Sequence, residues 1–353
     1  MAKVALITDT HAGVRNDNPA FHEYQKCCYD WFFNYIDTHS IKHVVHLGDI
    51  FDRRKYINFL SAKRCREDLL DPLEDRGIET HIIQGNHDSY YKDTHEVNAL
   101  DELVVGRYRF INTYSIPDII NIDGLDIQIM PWITQSNRDF AMDVIEHPRA
   151  EILMGHLELN GFTMHRGLIS DHGLNRQVFD KFDMVFSGHY HHRSTVGNVS
   201  YIGAFAEYTW HDYADPRGFS VFDTESRVLE FIQNPYKMFK KVWYNDQYAN
   251  LMEKIDVSQY KDCILKIIVT QKNNPYYFDR FVDKIEKANP IEIQIVEDHL
   301  NLGMEDDEDI VNEAESTIDI FKKYIETSES KGVDKKKIEN TILELYHEAL
   351  NLE

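Results

Sequence analysis

Val44-Val45-His46-Leu47-Gly48-Asp49, continued by Ile50-Phe51-Asp52, is a short apolar run that ends in Gly-Asp. Four other stretches repeat the device. Lys3 to Thr8 runs into Asp9-Thr10-His11, Thr80 to Gln84 into Gly85-Asn86-His87-Asp88, Glu151 to Met154 into Gly155-His156, and Asp183 to Ser187 into Gly188-His189-Tyr190-His191. Apolar runs of this length, bounded by Gly and polar residues, read as buried strands. Strands lying side by side present their C-terminal ends along one edge of a sheet, where open α/β folds bind ligands. The five ends are therefore expected to converge.

The side chains collected there are Asp9, His11, Asp49, Asn86, His87, His156, His189 and His191. Carboxylate, imidazole and amide without thiolate favour Mn²⁺, Mg²⁺ or Fe²⁺ over a Cys-rich zinc site. Seven or more ligands are too many for one ion and suit two ions sharing a bridging carboxylate. A lone Asp-x-His or Gly-His at a strand end is usually only a turn; five in series, each behind an apolar strand, read as a two-ion centre. His43 and His46 fall within a strand, His81 begins one and His192 overruns the last motif. These four are read as structural.

At 353 residues, 42% of them hydrophobic, the chain fits a large catalytic domain with appendages. Cys27, Cys28, Cys65 and Cys263 form no Cys-x-x-Cys pair, and no signal-peptide pattern precedes the first strand. A reducing, intracellular setting is expected. No apolar run approaches the ~18 to 20 residues of a membrane span. The net charge of -22 repels a polyanion, so a DNA substrate would need the ions, a local basic patch or a partner subunit to hold it.

The motifs Asp9-x-His11, Gly48-Asp49-x-x-Asp52, Gly85-Asn86-His87-Asp88, Gly155-His156 and Gly188-His189-x-His191 resemble the signature set of calcineurin-like metallophosphoesterases. Within that superfamily the chain resembles SbcD-type recombination nucleases, and most closely the small subunits of the recombination endonucleases of T-even-like bacteriophages. Gly155 to Phe162 and Asp215-Pro216-Arg217-Gly218-Phe219 carry the closer match. The resemblance implies an α/β (α+β) fold, a two-sheet mixed β-sandwich flanked by helices. It implies a metal-dependent DNA nuclease, a 3′→5′ double-strand exonuclease and single-strand endonuclease, acting with an SbcC-type coiled-coil ATPase in double-strand break processing, recombination and repair.

Carried across residue by residue, the family pattern gives one ion to Asp9, His11, Asp49 and His191. The other goes to Asp49, Asn86, His156 and His189, with Asp49 bridging. Two Mn²⁺ are expected, with Mg²⁺ as the alternative. His87 is left outside the ligands, where an imidazole oriented by a carboxylate such as Asp88 would protonate the leaving oxygen. Asp52 would order the water or orient a ligand. The second motif continues Asp52-Arg53-Arg54 where many superfamily members have Asp-Arg-Gly, which argues against a Ser/Thr protein phosphatase.

Along the chain, Asn18 and Pro19 read as the cap and first position of a helix whose face is Phe21, Tyr24, Cys28, Trp31, Phe32 and Tyr35. The simple reading is a helix lying on the sheet, though so heavy an aromatic load suggests that part of this face meets a second subunit. The resemblance implies dimerisation, since SbcD-like nucleases dimerise through helices of this region. Arg15, Arg53 and Arg54 are candidate DNA contacts; Lys63, Arg64 and Arg66 form either a phosphate-binding cluster or a solvated helix face. Tyr90-Tyr91-Lys92 would stack on a nucleotide or anchor a loop. Asp123-Gly124 reads as a type I′ hairpin, and Val196-Gly197-Asn198-Val199 and Asp223-Thr224-Glu225-Ser226 are read the same way.

The nuclease domain is expected to span 1–240. A β-α-β unit follows in 241–300, with strands Cys263 to Thr270 and Ile291 to Val296 around a helix Phe278 to Ala288, and resembles the capping domain of SbcD-type nucleases. Residues 301–309 form an acidic linker, and 310–353 two amphipathic helices that would dock on the ATPase partner. A free-standing metallophosphoesterase acting on nucleotides or phosphoproteins is the alternative, but it would need neither appendage. A noncatalytic scaffold on this fold would be expected to lack a ligand, and none is missing.

Overall fold

The computed structural model describes residues 2–165, 168–248 and 252–297. The expected linker 301–309 and helical hairpin 310–353 lie outside the described residues. Strand β1 (Lys3–Ile7) is buried on both faces, as a central strand covered by a layer on each side is. Val4 and Leu6 belong to one apolar cluster, Ala5 and Ile7 to another, which is the period-two alternation of a strand.

Beside it run β2 (His43–His46), β3 (Glu79–Ile83) and β4 (Ile111–Tyr114), all parallel. The second sheet is built from β5 (Asp118–Ile122), β6 (Leu125–Met130), β7 (Ile152–His156), β10 (Met184–Gly188), β11 (Ser194–Val196) and β12 (Val199–Tyr201), in the order β11-β12-β10-β7-β6-β5. Between β7 and β10 lies a separate pair, β8 (Thr163–His165) and β9 (Leu168–Ile169). Antiparallel β13 (Gly218–Asp223) and β14 (Leu229–Gln233) complete the first sheet as β14-β13-β1-β2-β3-β4.

Val4, Leu6, Val45, Leu47 and Ile83 of the first sheet's strands meet Ile127, Ile129, Ile152, Met154 and Phe186 of the second. This is the core of a two-sheet sandwich, as the resemblance implied. The ligand-bearing strands differ from expectation in one respect. They do not share one sheet edge: β1, β2 and β3 belong to one sheet, β7 and β10 to the other. The ends still meet, because the strands of both sheets finish at the same rim of the sandwich.

Helix α1 (Pro19–Thr38) starts as expected, with the Asn18 side chain accepting from the Ala20 amide at 2.9 Å. It covers the outer face of the first sheet. Its aromatic load is spent within the chain: Trp31 and Tyr35 both pack edge-on against Phe219, and Tyr29 stacks on Phe205 at 5.3 Å. The aromatic content is thus no argument for a second subunit at that face. Helix α2 (Phe59–Cys65) continues through a π-helical turn, Arg66–Leu70, into α3 (Asp71–Asp75). Here Arg64 pairs with Glu23 and Asp68, Arg66 with Glu67 and Asp71, and Lys63 with Glu67, so these cations form a solvated, carboxylate-paired face. Short α4 (Ala99–Leu103) follows β3, and α5 (Arg138–Glu146) lies between β6 and β7.

Asp123 and Gly124 both have positive φ, 52° and 85°, as a type I′ turn requires. The two other turns differ. At β11–β12 only Gly197 has positive φ, and after β13 the turn extends to Arg227 (φ 58°), whose amide donates to the Asp223 carbonyl. The Asp223 carboxylate accepts from the Glu225 and Ser226 amides, which favours the longer turn.

Beyond Asn234 a third sheet, β15-β16-β17, combines β15 (Phe239–Asn245), β16 (Ile264–Gln271) and β17 (Glu292–Glu297) with helix α6 (Pro275–Glu286). The expected β-α-β unit is there. Its sheet carries one strand more, since β15 pairs in parallel with β16 and begins before residue 241.

Candidate metal centre

Asp9, His11, Asp49 and His189 all adopt left-handed backbone conformations, with φ of 49°, 43°, 56° and 90°. Such conformations cost about 1–3 kcal/mol each and persist where surrounding structure enforces them. Here the enforcement is visible. Gly48 (φ +100°) has no room for a Cβ, which would strike the His156 ring, and a Cβ on Gly85 would strike the Asp49 carboxylate. The Asp88 carboxylate, 1% exposed, accepts from the amides of Gly85, Asp49, Ile50 and Phe51 at 2.9–3.1 Å. It ties the loops after β2 and β3 together and does not orient His87, contrary to expectation.

Two clusters of ligand atoms result, Asp9 with His11 and His191, and Asp49 with His156 and His189, the atoms of each lying within 4.8 Å of one another. His11 Nε2 stands 3.1 Å from His191 Nε2. The Asn86 side-chain oxygen stands 3.0 Å from both His156 Nε2 and His189 Nδ1, with an Asp49 oxygen 3.4 Å from His156 Nε2. His156 Nδ1 lies 2.7 Å from the Leu47 carbonyl, which can only accept, so Nδ1 carries the proton and Nε2 of the neutral ring offers a lone pair. Lone-pair atoms converging this closely suit cations, and the donor set fits two hard or borderline divalent ions.

The protonation equilibria agree. Burial raises Asp9 to about 7, and burial lowers His189 to about 3. Burial would lower His156 too, but the Asp49 carboxylate outweighs it and raises the imidazole to about 9. Ion uptake near neutral pH therefore displaces protons.

His87 belongs to neither cluster. Its amide donates to Asp49 Oδ1 at 2.7 Å, and its ring meets His11 edge-on at 5.0 Å. Nδ1 lies 2.5 Å from the Asp52 carbonyl, which orients the ring in the place expected of Asp88. The Asp52 carboxylate stands 3.5 Å from His11 Nδ1, positioned to orient that ring. His46 bonds Thr10 at 2.9 Å and the Gly48 amide at 3.3 Å, and its pKa is lowered by burial to about 3, so it is structural as read from sequence.

Arg54 and Arg53 diverge. Arg53 is held by Asn16, Asp17 and Tyr56, whereas the Arg54 guanidinium stands 3.2 Å from the end of the Asn86 amide that faces away from His156 and His189. Arg15 donates to the Tyr208 carbonyl at 2.9 Å. Tyr90 and Tyr91 are exposed and pack edge to face.

Sequence reasoning missed the support beneath His191. Arg217, 1% exposed, pairs with Asp212 at 2.5 Å and Asp215 at 2.8 Å and donates to the His191 carbonyl at 2.5 Å. The stretch Asp215 to Phe219 stood out as a motif, but nothing in its spacing announces an ion pair. Burial alone would raise Asp212; Arg217 outweighs it and holds the carboxyl well below its usual range. A depressed carboxylate contributes stability that is full above its unfolded value, ~4, and fades as pH falls below that. Arg217→Ala should lower unfolding stability by about 3–5 kcal/mol at neutral pH, the cost of breaking a buried pair. Urea titration at pH 7 and pH 3 checks it; an equal loss at both would detach the effect from the pair.

Residues 2–193 match the calcineurin-like phosphoesterase family. Exonuclease subunit 1 of Enterobacteria phage T4 is 31% identical over 323 residues, covering 92% of this chain and 92% of that one. Among solved structures, an archaeal phosphodiesterase is 16% identical, covers 65% of this chain and 99% of its own, and superposes with a TM-score of 0.33. A dimetal phosphatase from Danio rerio is 12% identical, with 67% and 99% covered and a TM-score of 0.42. Family match, relative and ligand clusters lead to one conclusion: the chain belongs to the calcineurin-like phosphoesterase family and is a metallophosphoesterase.

Proposed function

We propose that the chain is the nuclease subunit of a DNA-processing complex, a 3′→5′ double-strand exonuclease and single-strand endonuclease working with an SbcC-type ATPase in double-strand break processing, recombination and repair. The observation that carries this reading is the 31% identity to a phage exonuclease subunit over 92% of both chains. The third sheet supports it as well, because a free-standing phosphatase needs no such appendage. We read it as the DNA-capping domain.

Asp9, His11, Asp49 and His191 would hold one ion, and Asp49, Asn86, His156 and His189 the other, with Mn²⁺ proposed and Mg²⁺ the alternative. When bound, two such ions activate water and neutralise the phosphoryl oxygens. The chain supplies the rest. His87, its Nδ1 proton engaged by the Asp52 carbonyl, presents Nε2 to protonate the leaving oxygen. Arg54, beside Asn86, is the favoured contact for a phosphoryl oxygen, and Arg15 and Arg53 would meet the DNA farther out.

A second copy is proposed to pack where large apolar side chains remain exposed, at Tyr56, Phe59 (94% exposed) and Leu60. No described helix is long and apolar enough to cross a membrane, and the proposed setting is intracellular.

The test is end-labelled duplex DNA with Mn²⁺, with and without the cognate ATPase. Progressive shortening from 3′ ends, stimulated by the ATPase, is expected. Release of phosphate from mononucleotides with the duplex left intact would favour the free-standing reading. Residues 301–353 hold fifteen acidic against six basic residues, so they suit a protein partner better than DNA. Truncation after Leu300 should preserve Mn²⁺ binding and weak cleavage of short substrates while abolishing co-purification with the ATPase. A stable complex with the truncated chain would place the partner site elsewhere.

A further inference from the structure

Trp132, two residues past the end of β6, stands against the metal centre. Its ring lies 4.8 Å from that of His189 and 5.9 Å from that of His156. The same residue lines a cavity of about 290 Å³ together with Ile133, Arg138, Leu157, Glu158 and Leu174. That is near the lower bound of small-molecule sites, ~300 Å³.

The backbone that carries the indole is held on both sides. The Trp132 amide donates to the Gln84 carbonyl at 2.9 Å, and its own carbonyl accepts from Asn137 Nδ2 at 3.0 Å and His95 Nε2 at 2.6 Å. His95 Nδ1 in turn accepts from Gln84 Nε2 at 2.7 Å and the Ser89 hydroxyl at 3.0 Å, which fixes the neutral tautomer. A chain this acidic commits most of its described guanidinium groups. Arg138 and Glu158, however, have no ion pair among the described residues, and both border the cavity.

We propose that this cavity receives the nucleobase of the nucleotide whose phosphate occupies the metal centre, stacked on the Trp132 indole, with Arg138 and Glu158 facing its polar edge. An apolar wall with one cation and one carboxylate matches a flat heteroaromatic ring whose edge bears both acceptors and N–H donors, as every DNA base does except for the detail of their positions. Stacking is indifferent to base identity, as a nuclease acting along a strand requires. The inference rests on the phosphodiesterase reading above.

The test is calorimetric titration of the Mn²⁺-loaded full chain with thymidine 5′-monophosphate and, separately, inorganic phosphate. Wild type should bind the nucleotide more tightly. Trp132→Ala should weaken nucleotide binding roughly 5- to 150-fold, the range for one base on one aromatic ring, and leave phosphate binding unchanged; Trp132→Phe should retain most of it. Equal affinity of wild type for both probes overturns the base site and leaves the phosphoesterase reading standing. Equal weakening of both probes by Trp132→Ala also overturns it, since Trp132 would then only prop His189. Failure of both probes to bind wild type overturns the metal-centre reading, and the base site with it.

Discussion

Asp49→Asn is expected to abolish hydrolysis and to reduce Mn²⁺ binding from two sites to at most one, with the fold intact. The substitution is chosen for its backbone. Asp49 sits at φ 56°, where asparagine is tolerated and alanine is strained. An asparagine oxygen can keep the 2.7 Å bond from the His87 amide, so the neighbouring loop stays in register. What is lost is the negative charge. Burial alone would raise the Asp49 carboxyl, but His156 and His87 outweigh it and hold it well below its usual range, so the group is ionised and central to the cluster. Charge stabilisation by bound ions is worth several kcal/mol, and each ~1.4 kcal/mol is a factor of ten in rate. A loss of ~10³-fold or more is therefore expected. Calorimetric titration with Mn²⁺ and a cleavage assay on one sample check both parts; undiminished two-site binding would overturn the bridging role proposed for Asp49.

How much of this was legible beforehand follows from what each feature depends on. The strands announce themselves because burial on both faces leaves apolar runs, and the ligands because each follows such a run directly. Asp9, Asp49 and His156 were readable for that reason. Which sheet each strand joins was not, since a sandwich rim and a single sheet edge deliver the same ends. Asp88 was misassigned because sequence proximity to His87 suggested a side-chain pair, whereas its carboxylate satisfies four backbone amides from two loops. His95, Trp132 and Arg217 act through contacts between residues far apart in sequence, for which no periodicity exists. The aromatic face of α1 was legible as a helix lying on the sheet, but periodicity alone could not name its partners, Phe205 and Phe219, which lie far along the same chain.

His87→Ala should keep both ions and the affinity for DNA while cleavage falls ~10²- to 10⁴-fold, the usual contribution of a general acid. The geometry separates this outcome from that of a ligand. Neither ligand cluster includes His87, and its Nδ1 proton is engaged by the Asp52 carbonyl, which leaves Nε2 for the substrate. Removing the ring deletes no ligand atom of either cluster, and alanine keeps the backbone amide that donates to Asp49. The ring's contact with His11 is edge-on at 5.0 Å, so some loosening of that ligand is the competing explanation for lost activity. Leaving-group dependence decides between them. A nitrophenyl ester departs without a proton, so bis(p-nitrophenyl) phosphate should be hydrolysed by His87→Ala at nearly the wild-type rate, while a DNA linkage, whose alkoxide must be protonated, suffers the full loss. Equal losses on both substrates, or Mn²⁺ titrations showing a missing site, would make His87 a support of the metal cluster and overturn its role as the acid.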